Sequence, residues 1–302
     1  MHNEKIIRDI VKLKKDRNAV ILVHNYQLPE VQDIGDILGD SLGLSREAAK
    51  TKAEVVVFCG VHFMAETAAL LCPDKKVLIP DPLSGCPMAD MITAEQLRAF
   101  KKEHPGAPVV TYVNSSAEVK AESDYCCTSA NSVQVVNSIE EDTVLFVPDK
   151  YLGAYTAQKT GKKLILWDGY CPTHAKILPE HVLAKKNEYP GALVMAHPEC
   201  RQEVCGLADV VCSTEGFIAH SRKAKNKEII VATEVGMLYR LKKLIPEKNF
   251  IPASEAAVCP NMKKNTLEKV LWSLQDMKTE VKVSDDIRVR AKKAIDRMLT
   301  AG

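Results

Sequence analysis

The stretch Gly169-Tyr170-Cys171-Pro172-Thr173-His174 belongs to a pattern that occurs three times in this sequence. Cys86, Cys171 and Cys259 are each followed by proline. Nine residues after each cysteine comes a glutamate and eleven residues after it comes a leucine or valine: Glu95, Glu180 and Glu268, then Leu97, Val182 and Val270. A pattern that returns at a fixed spacing predicts an internal repeat.

The repeat extends upstream to a short apolar strand that ends in a polar residue. These polar residues are His24, Tyr112 and His197, and the distances from His24 to Cys86 and from His197 to Cys259 are both 62 residues. Seventeen residues after the polar positions stand small hydroxyl residues, Ser41, Ser129 and Thr214. The sequence therefore predicts three homologous units of roughly 85 residues each.

Alternating apolar strands and helices predict parallel sheets covered by helices. The expected fold class is α/β: three homologous three-layer αβα units with parallel sheets, arranged with pseudo-threefold symmetry around a central active site. The expected boundaries are 1–87 plus 264–302 for unit one with a closing C-terminal segment, 88–172 for unit two and 173–263 for unit three. In that closing segment we predict a helix over 266–277, a strand over 281–283 and a helix over 285–299, packed back onto unit one.

Composition narrows the functional class. The chain has 302 residues, a formal net charge of +2 and a pI near 8.0, which gives no electrostatic argument for a nucleic acid or membrane partner. Residues 1–5 lack the apolar region of a secretory signal, and no apolar run approaches the roughly 18 residues that span a bilayer. The expectation is a cytoplasmic protein that acts on small molecules.

Ten cysteines at irregular positions favour metal or thiolate chemistry over a disulfide scaffold. Cys86, Cys171 and Cys259 each lie in the loop after the last strand of a unit, so threefold packing would bring three thiolates together. Soft sulfur ligands favour zinc or an iron–sulfur cluster, and a cubane cluster held by three cysteines leaves one iron open as a Lewis acid.

Two simpler interpretations compete with this one. A single cysteine in a turn is often only a buried structural residue, but threefold repetition argues against that here. His197, Cys200, Cys205 and Cys212 could instead form a zinc site, although they spread over two elements. The remaining cysteines are expected to be packing residues: Cys59, Cys72, Cys126, Cys127, Cys200, Cys205 and Cys212.

The three hydroxyl residues, Ser41, Ser129 and Thr214, are predicted to stand where helices begin. Helix N-termini carry free backbone N–H groups and aligned dipoles, which bind anions. A cavity with an open iron on one side and such a cradle on the other suits a small, anionic, oxygen-rich substrate.

With these motifs the sequence closely resembles the quinolinate synthase (NadA) family of de novo NAD biosynthesis. The resemblance covers nearly the whole chain, with motifs at 24–27, 112–114, 126–129, 171–174 and 197–200 and at Cys259. It implies condensation of iminoaspartate, supplied by L-aspartate oxidase or a dehydrogenase, with dihydroxyacetone phosphate to give quinolinate, phosphate and two waters. It also implies an oxygen-sensitive [4Fe-4S] cluster on Cys86, Cys171 and Cys259.

The same resemblance implies the site residues. The catalytic residues would be Glu199 as a principal base, Tyr26, Tyr112 and His197 in proton shuttling and placement of intermediates, and His174 orienting a group at the iron. The substrate-binding residues would be His24, Ser41, Tyr112, Asn114, Ser129, His197, Glu199, Ser213 and Thr214.

Two features depart from many members of the family. Cys259-Pro260-Asn261-Met262 lacks the run of cysteines that some members carry and that could form a regulatory disulfide, so disulfide control is not expected here. Glu215 stands beside the predicted anion contacts, where many relatives have a small residue. The alternative functions are a hydro-lyase of the aconitase type, which would use the same open iron, and a non-enzymatic iron–sulfur redox sensor.

Overall fold

The computed structural model describes residues 2–301 and arranges them as alternating helices and strands. The helices are α1 (His2–Asp16), α2 (Pro29–Asp33), α3 (Ser41–Lys50), α4 (His62–Leu71), α5 (Ala94–Glu103), α6 (Ala117–Ala121), α7 (Ser132–Asn137), α8 (Lys150–Thr160), α9 (Pro179–Glu188), α10 (Gln202–Leu207), α11 (Thr214–Lys223), α12 (Gly236–Leu244), α13 (Leu267–Asp276) and α14 (Asp285–Thr300). The strands are β1 (Ala19–His24), β2 (Ile37–Gly39), β3 (Val55–Cys59), β4 (Lys76–Leu78), β5 (Val109–Tyr112), β6 (Tyr125–Cys127), β7 (Thr143–Val147), β8 (Lys163–Leu166), β9 (Leu193–Ala196), β10 (Val210–Val211), β11 (Glu228–Ala232) and β12 (Asn249–Pro252).

The strands of residues 2–301 form three four-stranded sheets that share one topology. Their orders are β2-β1-β3-β4, β6-β5-β7-β8 and β10-β9-β11-β12, and every pairing within them is parallel. Parallel strands need crossover helices, which cover the faces of each sheet. This confirms the predicted class of three αβα units with parallel sheets.

Matching hydrogen bonds show that the three sheets are built alike. In each sheet an aspartate accepts the backbone N–H of a residue in the first strand, fifteen positions earlier in the chain: Asp36 from Ile21, Asp124 from Val109 and Asp209 from Val194. The backbone N–H of the same aspartate donates to the carbonyl of the same strand residue. The repeat seen in the sequence is therefore a repeat of backbone geometry.

The central strands bury both faces, which explains their continuous apolar runs. All five residues of β3 and four of the five residues of β7 and of β11 are buried. The edge strands β2, β6 and β10 are only two or three residues long. Such short runs carry a weak pattern: the sequence between β5 and Cys127 predicts only a polar loop, and the structure forms β6 there.

The C-terminal segment departs from the prediction in two places. Helix α13 packs against α1 and β3 of the first unit, as expected. Residues 281–283 form no strand; a single antiparallel bridge joins Glu280 to Leu78 at the edge of the first sheet.

Helix α14 lies mainly against α6 and β6 of the second unit, with a smaller contact to α4 of the first. The expectation that it packs on unit one is therefore wrong. The physical reason is that β6 is an edge strand that needs cover, and α14 supplies an apolar face for it: Ala291, Ala294, Ile295 and Met298 are buried.

A core substitution tests this packing. Phe146 on β7 is fully buried, and α8 lies so close above it that a Cβ at Gly153 would come within 2.8 Å of the ring. We expect Phe146→Ala to lower the free energy of unfolding by about 3–5 kcal/mol, because the cavity that it leaves cannot close. Chemical denaturation measures this loss. Val289→Ala, at a position 51% exposed, should change it by less than about 0.5 kcal/mol. A loss under about 1 kcal/mol for Phe146→Ala would contradict the packing described.

Candidate active site

A central cavity of about 170 Å³ is lined by residues from all three units. It lies at the carboxyl ends of parallel strands, where ligands bind in α/β folds: His24 ends β1, Tyr112 ends β5 and His197 directly follows β9. Of the predicted site residues, all except Ser213 line this cavity. Ser213 lies behind the wall, where it caps α11 and faces a neighbouring surface cleft.

The three cysteine loops share one backbone turn. In each loop the N–H of the residue four positions after the cysteine donates to the cysteine carbonyl: Asp90 to Cys86, Ala175 to Cys171 and Lys263 to Cys259. A short 3₁₀ turn follows each time, at Ala89–Met91, His174–Lys176 and Met262–Lys264. In the second loop Gly169 is required, because a Cβ there would clash with the carbonyl oxygen of Pro148. The turn aims each cysteine at the same cavity.

The three thiols are desolvated and lie within electrostatic range of one another. Burial, with a smaller contribution from Cys259, raises the pKa of Cys86 to about 12. Burial likewise raises the pKa of Cys171 and of Cys259, and Cys86 adds to the rise at Cys171. Thiols in such an environment stay protonated until a metal displaces the proton.

Glu199 contacts three other polar side chains of the cavity. Its Oε1 accepts the hydroxyl proton of Tyr112 at 2.5 Å and an N–H of Asn114 at 3.3 Å, and its Oε2 lies 2.7 Å from His174 Nδ1. Burial alone would favour the neutral acid, but His174 and the Tyr112 hydrogen bond hold the pKa of Glu199 below its ordinary value. Glu199 is thus an ionised carboxylate that can accept a proton.

His24 and His197 are held in the same tautomer by the same contact. The backbone N–H two residues on donates to Nδ1, from Tyr26 at 3.2 Å and from Glu199 at 3.3 Å. Burial lowers the pKa of both imidazoles to about 3, so each is neutral with its proton on Nε2. His197 Nε2 lies 3.2 Å from Ser129 Oγ. Both side chains are therefore hydrogen-bond donors at neutral pH rather than cationic acids.

Two of the three predicted hydroxyl residues stand at helix starts. Ser41 is the first residue of α3 and Thr214 the first residue of α11. Ser129 lines the cavity but precedes α7, which begins at Ser132, so the prediction of three convergent helix starts is wrong for this residue. The reason is local: Asn131 Oδ1 accepts the N–H of Thr128 at 2.8 Å, which forms a turn before the helix.

A family model described as Quinolinate synthetase A protein matches residues 8–300. The chain belongs to the quinolinate synthetase A family. A protein of Dehalococcoides mccartyi strain BAV1 named quinolinate synthase is 60% identical over 299 residues, which cover 99% of each chain. Proteins of the same name from Geotalea uraniireducens and Methanosarcina barkeri are each 56% identical over 299 residues, 99% of this chain and 98% of theirs.

In this member of the quinolinate synthetase A family, two site residues were missed by sequence reasoning. Thr233 Oγ1 lies 2.6 Å from Tyr26 OH and 2.9 Å from His174 Nε2, so it links the two side chains. Glu234 is fully buried; it accepts the N–H of Cys259 at 3.0 Å and pairs with Lys263 at 2.9 Å. Both directly follow the apolar strand β11, a position that already marks His24 and His197 and could have identified them.

The alternative zinc group is not assembled in this quinolinate synthetase A family chain. Across residues 2–301 one group of at least three His, Cys, Asp or Glu side chains has its ligand atoms within 4.8 Å, namely Cys171, His174 and Glu199. Cys200 and Cys205 instead direct their thiols at backbone carbonyls. Over the same residues, all ten cysteines are free thiols and no helix combines the length and apolarity needed to cross a membrane.

Proposed function

We propose that this chain is a quinolinate synthase of de novo NAD biosynthesis. It would condense iminoaspartate, supplied by L-aspartate oxidase or a dehydrogenase, with dihydroxyacetone phosphate, and release quinolinate, phosphate and two waters. The observation that carries the proposal is a single cavity lined by one cysteine from each unit and by Glu199 with its hydrogen-bond partners. The names of relatives that are 55–60% identical to this chain support it.

The donor set fits a [4Fe-4S] cluster held by Cys86, Cys171 and Cys259. The three sulfurs are soft ligands that line one cavity in a desolvated setting, and no other cysteine of residues 2–301 lines it. His174 and Glu199 already pair with each other at 2.7 Å, so the three cysteines are the side chains that remain to ligate a metal. When bound, such a cluster supplies a Lewis acid at its one open iron.

The unit boundaries belong to the same proposal. Units 1–87 with 264–302, 88–172 and 173–263 each contain one complete sheet and one ligand cysteine. An arrangement about a pseudo-threefold axis would account for one cysteine from each unit in a common cavity.

Acid–base chemistry would centre on Glu199. Its ionised carboxylate accepts a proton from carbon or nitrogen of the substrate, and the Tyr112 hydroxyl at 2.5 Å can return one. His174 holds Oε2 in place from the other side. Tyr26, hydrogen-bonded to Thr233, places a second phenol at the cavity wall.

Substrate recognition would use neutral hydrogen-bond donors and the side-chain oxygen of Asn114. The Nε2–H groups of His24 and His197, together with the hydroxyls of Ser41, Ser129 and Thr214, line the cavity and suit phosphate and carboxylate oxygens. Asn114 Oδ1 is buried and accepts no hydrogen bond from residues 2–301, so it is available to an N–H or O–H of the substrate. Ser213 would contribute indirectly, through the start of α11.

Turnover by the protein purified without oxygen tests the proposal. We expect a brown protein that forms quinolinate from iminoaspartate and dihydroxyacetone phosphate, with quinolinate and released phosphate measured by chromatography. Omission of either substrate is the control and should give no quinolinate. Hydration or dehydration of a hydroxy acid alone would instead establish a hydro-lyase. A cluster that cycles with oxidant but supports no turnover would establish a sensor.

A further inference from the structure

A buried amide lies directly behind the hydroxyl end of the cavity. Asn25 follows His24 at the end of β1 and is fully buried. Its Nδ2 lies 2.7 Å from Thr214 Oγ1 and 3.1 Å from Glu215 Oε1, and its Oδ1 accepts a hydrogen bond from the Arg240 guanidinium. Asn25 thus joins the first unit to two elements of the third, α11 and α12.

Two neighbours fix the orientation of this amide. A guanidinium carries donors only, so Arg240 must face Oδ1; an ionised carboxylate carries acceptors only, so Glu215 must face Nδ2. Arg240 and Glu215 also pair with each other at 3.1 Å. Because both charged groups require the same orientation, an amide flip would replace two favourable contacts with two repulsive ones.

The orientation of Asn25 decides the direction of the Thr214 hydroxyl. Nδ2 donates to Thr214 Oγ1, so the hydroxyl proton must point elsewhere. Thr214 is 2% exposed and lines the cavity, and no hydrogen bond among residues 2–301 accepts its proton. The proton is therefore left for an acceptor inside the cavity.

We infer that Asn25, held by Arg240 and Glu215, is a positioning residue that makes Thr214 a hydrogen-bond donor to an anionic group of the substrate, a phosphate or a carboxylate. The inference rests on the proposed function and adds residues to it. It also assigns a role to Glu215. This acid does not line the cavity, and it orients the Asn25 amide from outside the cavity lining.

Asn25→Asp is the direct test, since it keeps the shape and replaces the Nδ2 donor with an acceptor oxygen. The Thr214 hydroxyl would then donate to residue 25 instead of to the substrate. We expect the KM for one of the two substrates to rise at least about tenfold while kcat changes by less than about threefold; the substrate affected identifies the anion as phosphate or carboxylate. Unchanged KM values for both substrates would overturn the inference.

A double-mutant cycle separates positioning from general damage to the structure. Thr214→Val should raise the same KM, and adding Asn25→Asp to it should raise that KM no further, because the amide acts through the hydroxyl. Additive effects would overturn the inference. Tyr239→Phe is the matched control on α12: its hydroxyl contacts the exposed Asp33, and its KM values should equal those of the wild type.

Binding of inorganic phosphate, measured by calorimetry on the cluster-loaded protein, distinguishes failure of the inference from failure of the proposed function. A wild type that makes no quinolinate but binds phosphate at least about tenfold more tightly than Asn25→Asp would refute the function and keep the positioning role. Quinolinate formation with the KM values of Asn25→Asp unchanged would refute only the positioning role. A wild type that neither turns over nor binds phosphate would refute both.

Discussion

Replacing Cys86, Cys171 or Cys259 with serine, one at a time, is expected to abolish cluster assembly. Each of these thiols projects from an equivalent turn into the same cavity, and burial raises the pKa of each. A serine hydroxyl is a hard ligand that stays protonated there, so two sulfurs would remain where the cluster needs three. Iron and acid-labile sulfide per chain, with the visible absorption of the purified protein, measure the outcome. We expect less than about a tenth of the wild-type iron.

Cys205→Ser is the matched control for these variants. Cys205 is a half-buried thiol whose contacts are the backbone carbonyls of His197 and Cys200, and a serine hydroxyl can donate to either. This variant should bind iron and sulfide like the wild type. Wild-type iron content in any of the three ligand variants would end the ligand assignment, and loss of the cluster from Cys205→Ser would show that a fourth cysteine is needed.

Glu199→Gln should lower kcat about 10³-fold or more while the cluster remains bound. The substitution keeps the shape of the side chain but removes the carboxylate that accepts from Tyr112 at 2.5 Å and pairs with His174 at 2.7 Å. Loss of a positioned general base costs roughly 10²–10⁴ in rate, and here the same change also disturbs two neighbouring groups. Quinolinate formation measured at saturating substrates, beside iron content, separates chemistry from assembly.

Glu203→Gln provides the comparison, because Glu203 is an exposed acid on the adjacent helix α10. Its kcat and KM should match those of the wild type. If Glu199→Gln kept more than about a tenth of the wild-type kcat, another residue would have to serve as the principal base.

Several elements were predictable to the residue. The sequence predicts a helix over 94–103 and strands over 143–147, 193–196 and 249–252, and α5, β7, β9 and β12 begin and end at those residues. Buried parallel strands are continuously apolar and end in polar residues, so their limits are visible in a single sequence. The edge strands β2 and β6 and the docking of α14 were not predictable, because they depend on which sheet edge remains uncovered after folding.

The candidate site also has residues that the sequence predicted and residues that it did not. The threefold Cys-Pro spacing, the polar strand ends and the hydroxyl positions indicated part of the cavity lining, because equivalent positions of a repeat face equivalent surroundings. The resemblance to the family indicated the rest, Tyr26, Asn114, His174 and Glu199. Thr233 and Glu234 carry the same signal, since they are polar residues that follow the apolar strand β11. Ser129 keeps the repeat spacing of seventeen residues but lies before its helix, because the turn closed by Asn131 comes between them.

By itself, the sequence determined the three repeated units, the α/β class and the three candidate ligand cysteines, because these depend on local periodicity and spacing. Only the tertiary structure decided the chemistry of each polar atom. Tyr112 meets Glu199 across 87 residues and Asn25 meets Thr214 across 189, and such contacts set which atom is ionised and which hydroxyl is free to donate. The physical reason is that burial and hydrogen-bond direction belong to the assembled environment, whereas strand and helix patterns belong to the chain.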